Sequence, residues 1–343
     1  MRLYSRKKGT KFLRILLPAY IKAMFRPAPV WVHLYVTRKC NLKCSYCFVV
    51  EPGRKELNTE DMKKVIDHLH YLGTRCISFF GGEPTIRRDL LELIEYANKK
   101  RILTHITTNG SFLTQDYIDK LGKADLDVIN LSVDSVFEFN ESKKDYTRCR
   151  EVLSHLLEAR KKYGFEINVN LVLTAKNVDI TIQTLRLINS FNVPMSIGLI
   201  AGNTYNNLPV DGSLYFFKKD DKEKLLKVCD EIKQLKKQGF NIIEPEQYFE
   251  DIKKFVNHEL KDWYCSAGEY YFSIDCDGKF QLCAGSKTQD ISIFDVDRDY
   301  YKKFKELRET SFKSCKKICL ANCLYDTSFF IKRPAYFFKE ILR

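Results

Sequence analysis

From residue 30 onward, short apolar runs alternate with longer stretches in which apolar residues recur every three or four positions. VWVHLYV (30–36), CISFF (76–80), LTHITT (103–108), VINLSV (128–133), INVNLVLT (167–174) and MSIGLIA (195–201) read as strands. TEDMKKVIDHLHYLG (59–73) has helical spacing, with Thr59 as its N-cap and Gly73 as its stop. DLLELIEYANKK (89–100) and stretches near 114–122, 147–163, 179–191 and 221–238 keep the same period. Strands that alternate with helices need crossover connections, hence a parallel sheet. Six such units fall short of the eight of a closed barrel. The pattern therefore predicts an α/β fold, as a partial (β/α)6 barrel or an open doubly wound sheet. In either, ligands belong at the carboxyl ends of the strands.

The alternation breaks around 202–215, and from 262 onward hairpin-like segments and cysteines replace it. Five regions follow: a basic amphipathic N-terminal segment (1–29), the partial barrel (30–215), a linking helical region (216–261), a small C-terminal cysteine-rich domain (262–326) and a basic aromatic tail (327–343). No internal repeat or low-complexity segment is present.

Charge changes the picture only at the ends. The formal net charge is +13, which on its own would suggest nucleic acid. Residues 1–26 contribute eight of these charges, without a single acid, and 327–343 contribute three, which leaves +2 for the body. A body with so little excess charge argues against a nucleic-acid partner. Both ends are also rich in large apolar side chains, the composition of a segment lying in a membrane interface. The apolar stretch 15–21 contains Pro18 and is far short of the roughly 20 residues that span a bilayer. No small-residue cleavage site marks a signal peptide. A cytoplasmic location is expected, with peripheral contact on the inner face of the membrane through both termini; the alternative is that the ends dock on the body as helices.

Nine of the twelve cysteines fall in two tight fields, three at 40–47 and six at 265–323. A secreted disulfide scaffold would be small and cysteine-dense throughout, so the clustering points to metal ligation. Cys76, Cys149 and Cys229 stand alone and read as buried packing. In VTRKCNLKCSYCFVV, the thiols of Cys40, Cys44 and Cys47 follow the first strand in a C-x3-C-x2-C spacing. A structural zinc site wants four ligands, which would require a distant residue such as His33 or His68. An iron–sulfur cubane held by three thiolates keeps its fourth iron open for a ligand. ISFFGGEPTI then places Gly81, Gly82, Glu83 and Pro84 at the end of the second strand, where a backbone could approach that ligand and Glu83 could face a cationic amine.

With these motifs in order, the sequence resembles the radical S-adenosylmethionine (radical SAM) superfamily over most of residues 30–330. The resemblance implies that Cys40, Cys44 and Cys47 hold a catalytic 4Fe–4S cluster whose open iron is chelated by the methionine moiety of S-adenosylmethionine (SAM). It implies that Gly81, Gly82 and Glu83 line the methionine amine and that the backbone around Tyr46 and Phe48 meets the adenine. TTNG (107–110) and LSVDS (131–135) match the family's shape, implying SAM contacts from Ser132, with Asn109 and Asp134 lining the pocket. The implied reaction is reductive cleavage of SAM to a 5′-deoxyadenosyl radical, which takes hydrogen from a substrate or adds to it. It also implies a reducing partner such as flavodoxin or ferredoxin.

The second field resembles the SPASM auxiliary-cluster domain, or its shortened twitch form. Cys265, Gly278 and Cys283 meet the opening pattern, and Asp277-Gly278 reads as a hairpin turn. Cys276 occupies a turn position that implies no ligand role. The closing part departs from the full pattern, since only Cys315, Cys319 and Cys323 are present. One auxiliary 4Fe–4S cluster is therefore expected, held by Cys265, Cys283 and two of Cys315, Cys319 and Cys323, with a zinc ribbon as the alternative. A fully ligated auxiliary cluster would transfer electrons or support structure.

Family resemblance names no substrate. Only 29 residues precede the first strand, fewer than the peptide-recognition domain that many peptide-modifying members carry. The basic aromatic ends and IGLIAGNTYNN (197–207) point to a small-molecule or membrane-lipid substrate, with a peptide-modifying maturase as the alternative. A non-catalytic electron carrier is a third reading, which would need neither GGEP nor a SAM pocket. Asp134 and Tyr205 are candidates for quenching or deprotonating a substrate radical.

Overall fold

The computed structural model describes residues 6–200, 217–260, 263–315 and 320–334. A helix, α1 (Arg6–Phe25), precedes strand β1 (Trp31–Thr37). There follow α2 (Thr59–Leu72), β2 (Cys76–Gly81), α3 (Leu90–Lys99), β3 (Leu103–Thr108), α4 (Gln115–Lys123), β4 (Val128–Ser132), α5 (Tyr146–Tyr163), β5 (Glu166–Leu173), α6 (Thr181–Ser190) and β6 (Met195–Leu199). Two helices, α7 (Lys219–Lys237) and α8 (Glu246–Val256), lead to a hairpin of β7 (Tyr271–Ile274) and β8 (Phe280–Gln281). The described chain ends with α9 (Tyr300–Lys303), α10 (Lys305–Ser314) and α11 (Asn322–Lys332).

Strands β1 to β6 lie side by side in chain order, and every neighbouring pair is parallel. With their helices they form the expected partial (β/α)6 barrel. The cysteine-rich region is not detached from it. β7 adds to the free side of β1 in parallel, β8 pairs antiparallel beyond it, and one eight-stranded sheet results, in the order β6-β5-β4-β3-β2-β1-β7-β8. Gly278 turns that hairpin at φ +82°, a backbone state that favours glycine.

Period-two alternation builds the two faces of the sheet. Val32, Leu34, Val36, Ile77, Phe79, Ile106, Ile129, Leu131, Ile167, Val169 and Leu171 face the helices and form the main core. Local signals set the helix ends. The N-cap of α2 is Asn58 rather than the expected Thr59, because Asn58 Oδ1 accepts from Asp61 N at 2.9 Å. Gly73 terminates the same helix in the left-handed conformation, as the sequence predicts.

The N-terminal segment docks on the body. Phe12, Leu16 and Ala23 of α1 pack against Val30, Cys76, Leu103 and Val128, residues at or just before the starts of the first four strands. Lys11 reinforces this seat with contacts to Asp127 at 2.7 Å and Asp125 at 3.0 Å. A basic N-terminus that brings the barrel mouth to a bilayer would have to sit at the carboxyl ends of the strands, and α1 covers their amino ends. No helix among the described residues is long and apolar enough to cross a membrane. Residues 335–343 of the basic tail and Tyr205 lie outside the described residues.

Candidate active site

The loop that carries Cys40, Cys44 and Cys47 leaves the carboxyl end of β1 and is held by the end of β2. Gly82 N donates to Thr37 O at 3.1 Å and Glu83 N donates to Lys39 O at 2.8 Å. The approach leaves no room for side chains. A Cβ on Gly81 would lie 2.4 Å from Thr37 O, and one on Gly82 would lie 2.1 Å from Lys39 O and 2.9 Å from the Cys40 Cβ. The two glycines are therefore a packing condition for the cysteine loop. All three thiols are half-buried at the mouth. Leu42 N and Asn109 Nδ2 point at Cys40 Sγ from 3.3 and 3.9 Å, the kind of N–H···S contact that tunes a thiolate ligand. Among the described residues, no three Cys, His, Asp or Glu side chains converge on a point that one ion could share. A cubane does not ask for that, since each of its thiolates meets a separate iron.

Glu83 is fully buried. Its Oε1 accepts from Thr85 N, Thr85 Oγ1 and Thr108 Oγ1 at 3.2, 2.6 and 2.7 Å, and its Oε2 accepts from Asn109 N at 2.7 Å. Burial pushes the Glu83 carboxyl above its ordinary value, and these donors pull it back only in part. Glu83 thus fastens the GGEP turn to TTNG, holding Asn109 beside Cys40. Ser132 is buried at the carboxyl end of β4. The Phe48 side chain packs near Tyr35, Val49 and Cys47.

Asp134 does not face open space. Its Oδ2 accepts from the Tyr46 hydroxyl and pairs with Lys144 Nζ at 3.4 Å, while Oδ1 accepts from Val172 N at 3.1 Å. Lys144 Nζ also sits 4.9 Å from the Tyr46 ring centroid. Burial, then the Asp134 charge, pushes the Tyr46 phenol well above its ordinary value. Burial opposes the Lys144 charge, but Asp134 and Tyr46 outweigh it and raise the ammonium. The triad anchors the aromatic side chain that precedes Cys47. Lys144 carries no sequence signal, because it sits in an ordinary charged stretch before α5.

Residues 34–194 match the family model of the Radical SAM superfamily. This part of the chain is a radical SAM domain. The chain is 32% identical over 156 residues to Fe-coproporphyrin III synthase of Methanosarcina barkeri, a match covering 45% of this chain and 38% of that protein. It is 35% identical over 113 residues to PqqA peptide cyclase of Bradyrhizobium diazoefficiens, covering 32% and 30%. These matches span less than half of either relative. In fold, it resembles Streptococcus suis SuiB bound to precursor peptide SuiA, with a TM-score of 0.64, 18% identity, and coverage of 82% of this chain and 67% of that one. Radical SAM domains work with a 4Fe–4S cluster and SAM, and the residues here fit that pair. Three local thiols stand at the strand ends, and a side-chain-free glycine cradle presses the second strand against them.

The second cysteine field adjoins this domain. Cys283 is buried with Ala267, Tyr271 and Leu324, and Cys265 and Cys323 pack against the same cluster. Cys315 lies at the C-cap of α10, outside that cluster, and Cys319 lies outside the described residues. Cys276 is turned elsewhere, packed with Tyr35 and Val49, its thiol donating to Lys55 O at 3.5 Å. Tyr35 bridges the two fields. It packs in the cluster that includes Cys47 and donates to Ala284 O, next to Cys283, at 2.9 Å.

The face of the barrel opposite the helices is polar. Register sets Ser273, His33, Ser78 and His105 side by side across β7, β1, β2 and β3. Nearer the mouth come Thr107, Asn130 and Asn168, then Ser132, Asn170 and Ser196. Asn130, Asn168 and Asn170 are half-buried. From the C-terminal region, Asn322 of α11 reaches this face and donates to Ser196 Oγ at 3.0 Å. The two asparagines of INVNLVLT, two apart in a strand, were a legible sign of a polar interior. The residues facing them across other strands were not.

Proposed function

We propose that the protein is a radical SAM enzyme that modifies a peptide. The observation that carries this reading is the polar barrel interior. Amides and hydroxyls of Thr107, Asn130, Asn168, Asn170 and Ser196 line the face below the cysteine loop. They offer both donors and acceptors, which suits a peptide main chain. An acyl chain on the same face would strip water from these groups without replacing its hydrogen bonds. The relatives point the same way where their names specify a peptide, as PqqA peptide cyclase does and as SuiB does through its bound precursor. The lipid-substrate reading loses one of its supports, because α1 lies at the far end of the strands from the mouth.

In this reading Cys40, Cys44 and Cys47 hold the cluster, and Gly81, Gly82, Glu83, Asn109 and Ser132 shape the SAM pocket beside it. The bound pair supplies one-electron reduction of SAM and abstraction of hydrogen from carbon. The chain's own part is to place that chemistry. Glu83 holds Asn109 against Cys40, the Asp134–Lys144 pair fixes Tyr46, and Phe48 and Tyr35 pack the loop against the C-terminal hairpin. Asp134 acts as a positioning residue rather than as the proton acceptor its sequence position suggests. Cys265, Cys283 and Cys323, with Cys315 or Cys319, would hold one auxiliary 4Fe–4S cluster, and a flavodoxin or ferredoxin would supply electrons.

The test is anaerobic. The reconstituted chain is reduced with SAM, and 5′-deoxyadenosine is quantified after adding a low-molecular-weight peptide fraction or a total lipid extract from the host cells. A rise with the peptide fraction, together with a mass change in a recovered peptide, is expected. A rise confined to the lipid extract would overturn the peptide reading and leave the radical SAM assignment intact.

A further inference from the structure

Beneath the second half of α1 lies a recess of about 920 Å³, at the opposite end of the barrel from the cysteine loop. Its walls come from α1, the turn between α2 and β2, the end of α3 and Arg298. Eight lysines or arginines line it, and no aspartate or glutamate does. Arg26 and Lys100 are paired with Asp299 and Asp67, whose carboxylates stand outside the lining. Arg14, Lys22, Lys99 and Arg101 make no ion pair among the described residues. The crowding is felt within the recess: burial first, then the nearby Arg298 charge, lowers the Arg75 guanidinium. Cations gathered this way want an anion.

The rim says which kind. Three large apolar side chains on the last turns of α1 point outward, with Ile21 at 44%, Met24 at 50% and Phe25 at 87% exposure. On the same helix Pro18 and Lys22 face the recess, and Arg26 follows just past its end, so helical spacing sets Ile21 and Phe25 along its edge. A soluble phosphate ligand would have no use for this apolar edge. A groove for RNA would call for a row of free stacking aromatics along a basic track, whereas here Tyr71 is already covered by Arg298 at 4.3 Å and Phe25 stands at the rim with aliphatic neighbours. Basic residues beside exposed bulky apolar ones match a headgroup layer above acyl chains.

We propose that this end of the molecule docks on an anionic phospholipid surface, with phosphate-bearing headgroups entering the recess and Ile21, Met24 and Phe25 inserted at the headgroup boundary. The barrel mouth then faces away from the bilayer, open to a water-borne substrate. This docking does not rest on the peptide reading, and the two can fail separately.

The full chain is sedimented with phosphatidylcholine vesicles and with the same vesicles containing phosphatidylglycerol, across a salt series. Binding to the anionic vesicles is expected to be tighter by about tenfold or more and to weaken as salt rises. The exposed-site variant Lys99→Glu/Arg101→Glu should remove most of the salt-dependent part. Phe25→Ser should weaken binding while the salt dependence stays. Both variants should melt and cleave SAM like the parent chain, since neither touches the cysteine loop. Equal binding to neutral and anionic vesicles, or binding untouched by the charge reversal, would overturn the proposal. So would inorganic phosphate or a mixed RNA pool that binds at a salt concentration where anionic vesicles leave the protein in solution.

Discussion

Arg38 and Asp275 form a buried two-pronged ion pair across 237 positions of sequence: Nε meets Oδ1 and Nη2 meets Oδ2, each at 2.9 Å. Arg38 stands two residues before Cys40, and Asp275 lies in the hairpin that leads to Cys283. The pair therefore joins the two cysteine fields directly. Arg54 adds a second contact to Asp275 at 3.2 Å, and Arg38 lies 4.0 Å over the Tyr35 ring. Removing the carboxylate leaves a buried guanidinium without its partner, which costs about 3 kcal/mol. Asp275→Asn should lose roughly that amount in a denaturant titration. Arg38→Lys should not restore the parent value in the same titration, since an ammonium cannot make both prongs.

Gly82→Ala tests the cradle. The added Cβ would meet Lys39 O and Cys40 Cβ at distances that side chains do not tolerate. The cysteine loop must move, and reconstituted iron at Cys40, Cys44 and Cys47 should fall sharply, as read by iron analysis and the reduced-cluster EPR signal. Parent-like iron and EPR in this variant would show that the close approach is not what seats the loop.

The Tyr46–Asp134–Lys144 triad predicts non-additive substitutions. Asp134→Asn strands the Lys144 charge in a buried site and should cost about 3 kcal/mol. Adding Lys144→Met removes the stranded charge and should recover about half of that loss. A proton-transfer role for Asp134 would instead leave the double variant as inactive in SAM-dependent turnover as the single one, however stable it became.

The barrel floor predicts a pH dependence. His105 and His33 are buried, and burial lowers them from 6.5 to about 4 and about 3, with His105 adding to the shift at His33. Their folded values lie below their unfolded ones, so the unfolded chain binds the extra protons as pH falls. Stability is then intact above pH 6.5 and declines from there toward the folded values, by about 1.4 kcal/mol per pH unit for each histidine at the steepest. Unfolding midpoints measured from pH 7.5 to 5 should fall. His105→Gln should be less stable at pH 7.5, because Ser78 Oγ loses its 2.6 Å neighbour, but should fall less steeply.

The second field predicts a contrast between neighbours. Cys283→Ser should remove about half of the total iron if Cys283 ligates an auxiliary 4Fe–4S cluster of the same size as the first. Cys276→Ser, seven residues earlier and packed away from that cluster, should keep it. Equal iron in both variants would argue that the second field binds no cluster.

The sequence by itself determined the elements and the chemistry at their ends. Alternating six strand and helix periods dictate a parallel sheet, and a parallel sheet puts loops after β1 and β2 on one rim, so C-x3-C-x2-C and GGEP had to meet. Local spacing carries such information because each motif lies within one loop. Tertiary structure decided what depends on contacts between distant segments. Only the folded chain pairs β7 with β1, aligns Asn130 with Asn168, seats Lys144 between Tyr46 and Asp134, and joins Arg38 to Asp275. The N-terminal segment is the clearest case. Its basic and apolar composition suits either a membrane or a protein surface, and the shape of the barrel floor decided that Phe12, Leu16 and Ala23 face the protein while Ile21, Met24 and Phe25 face outward.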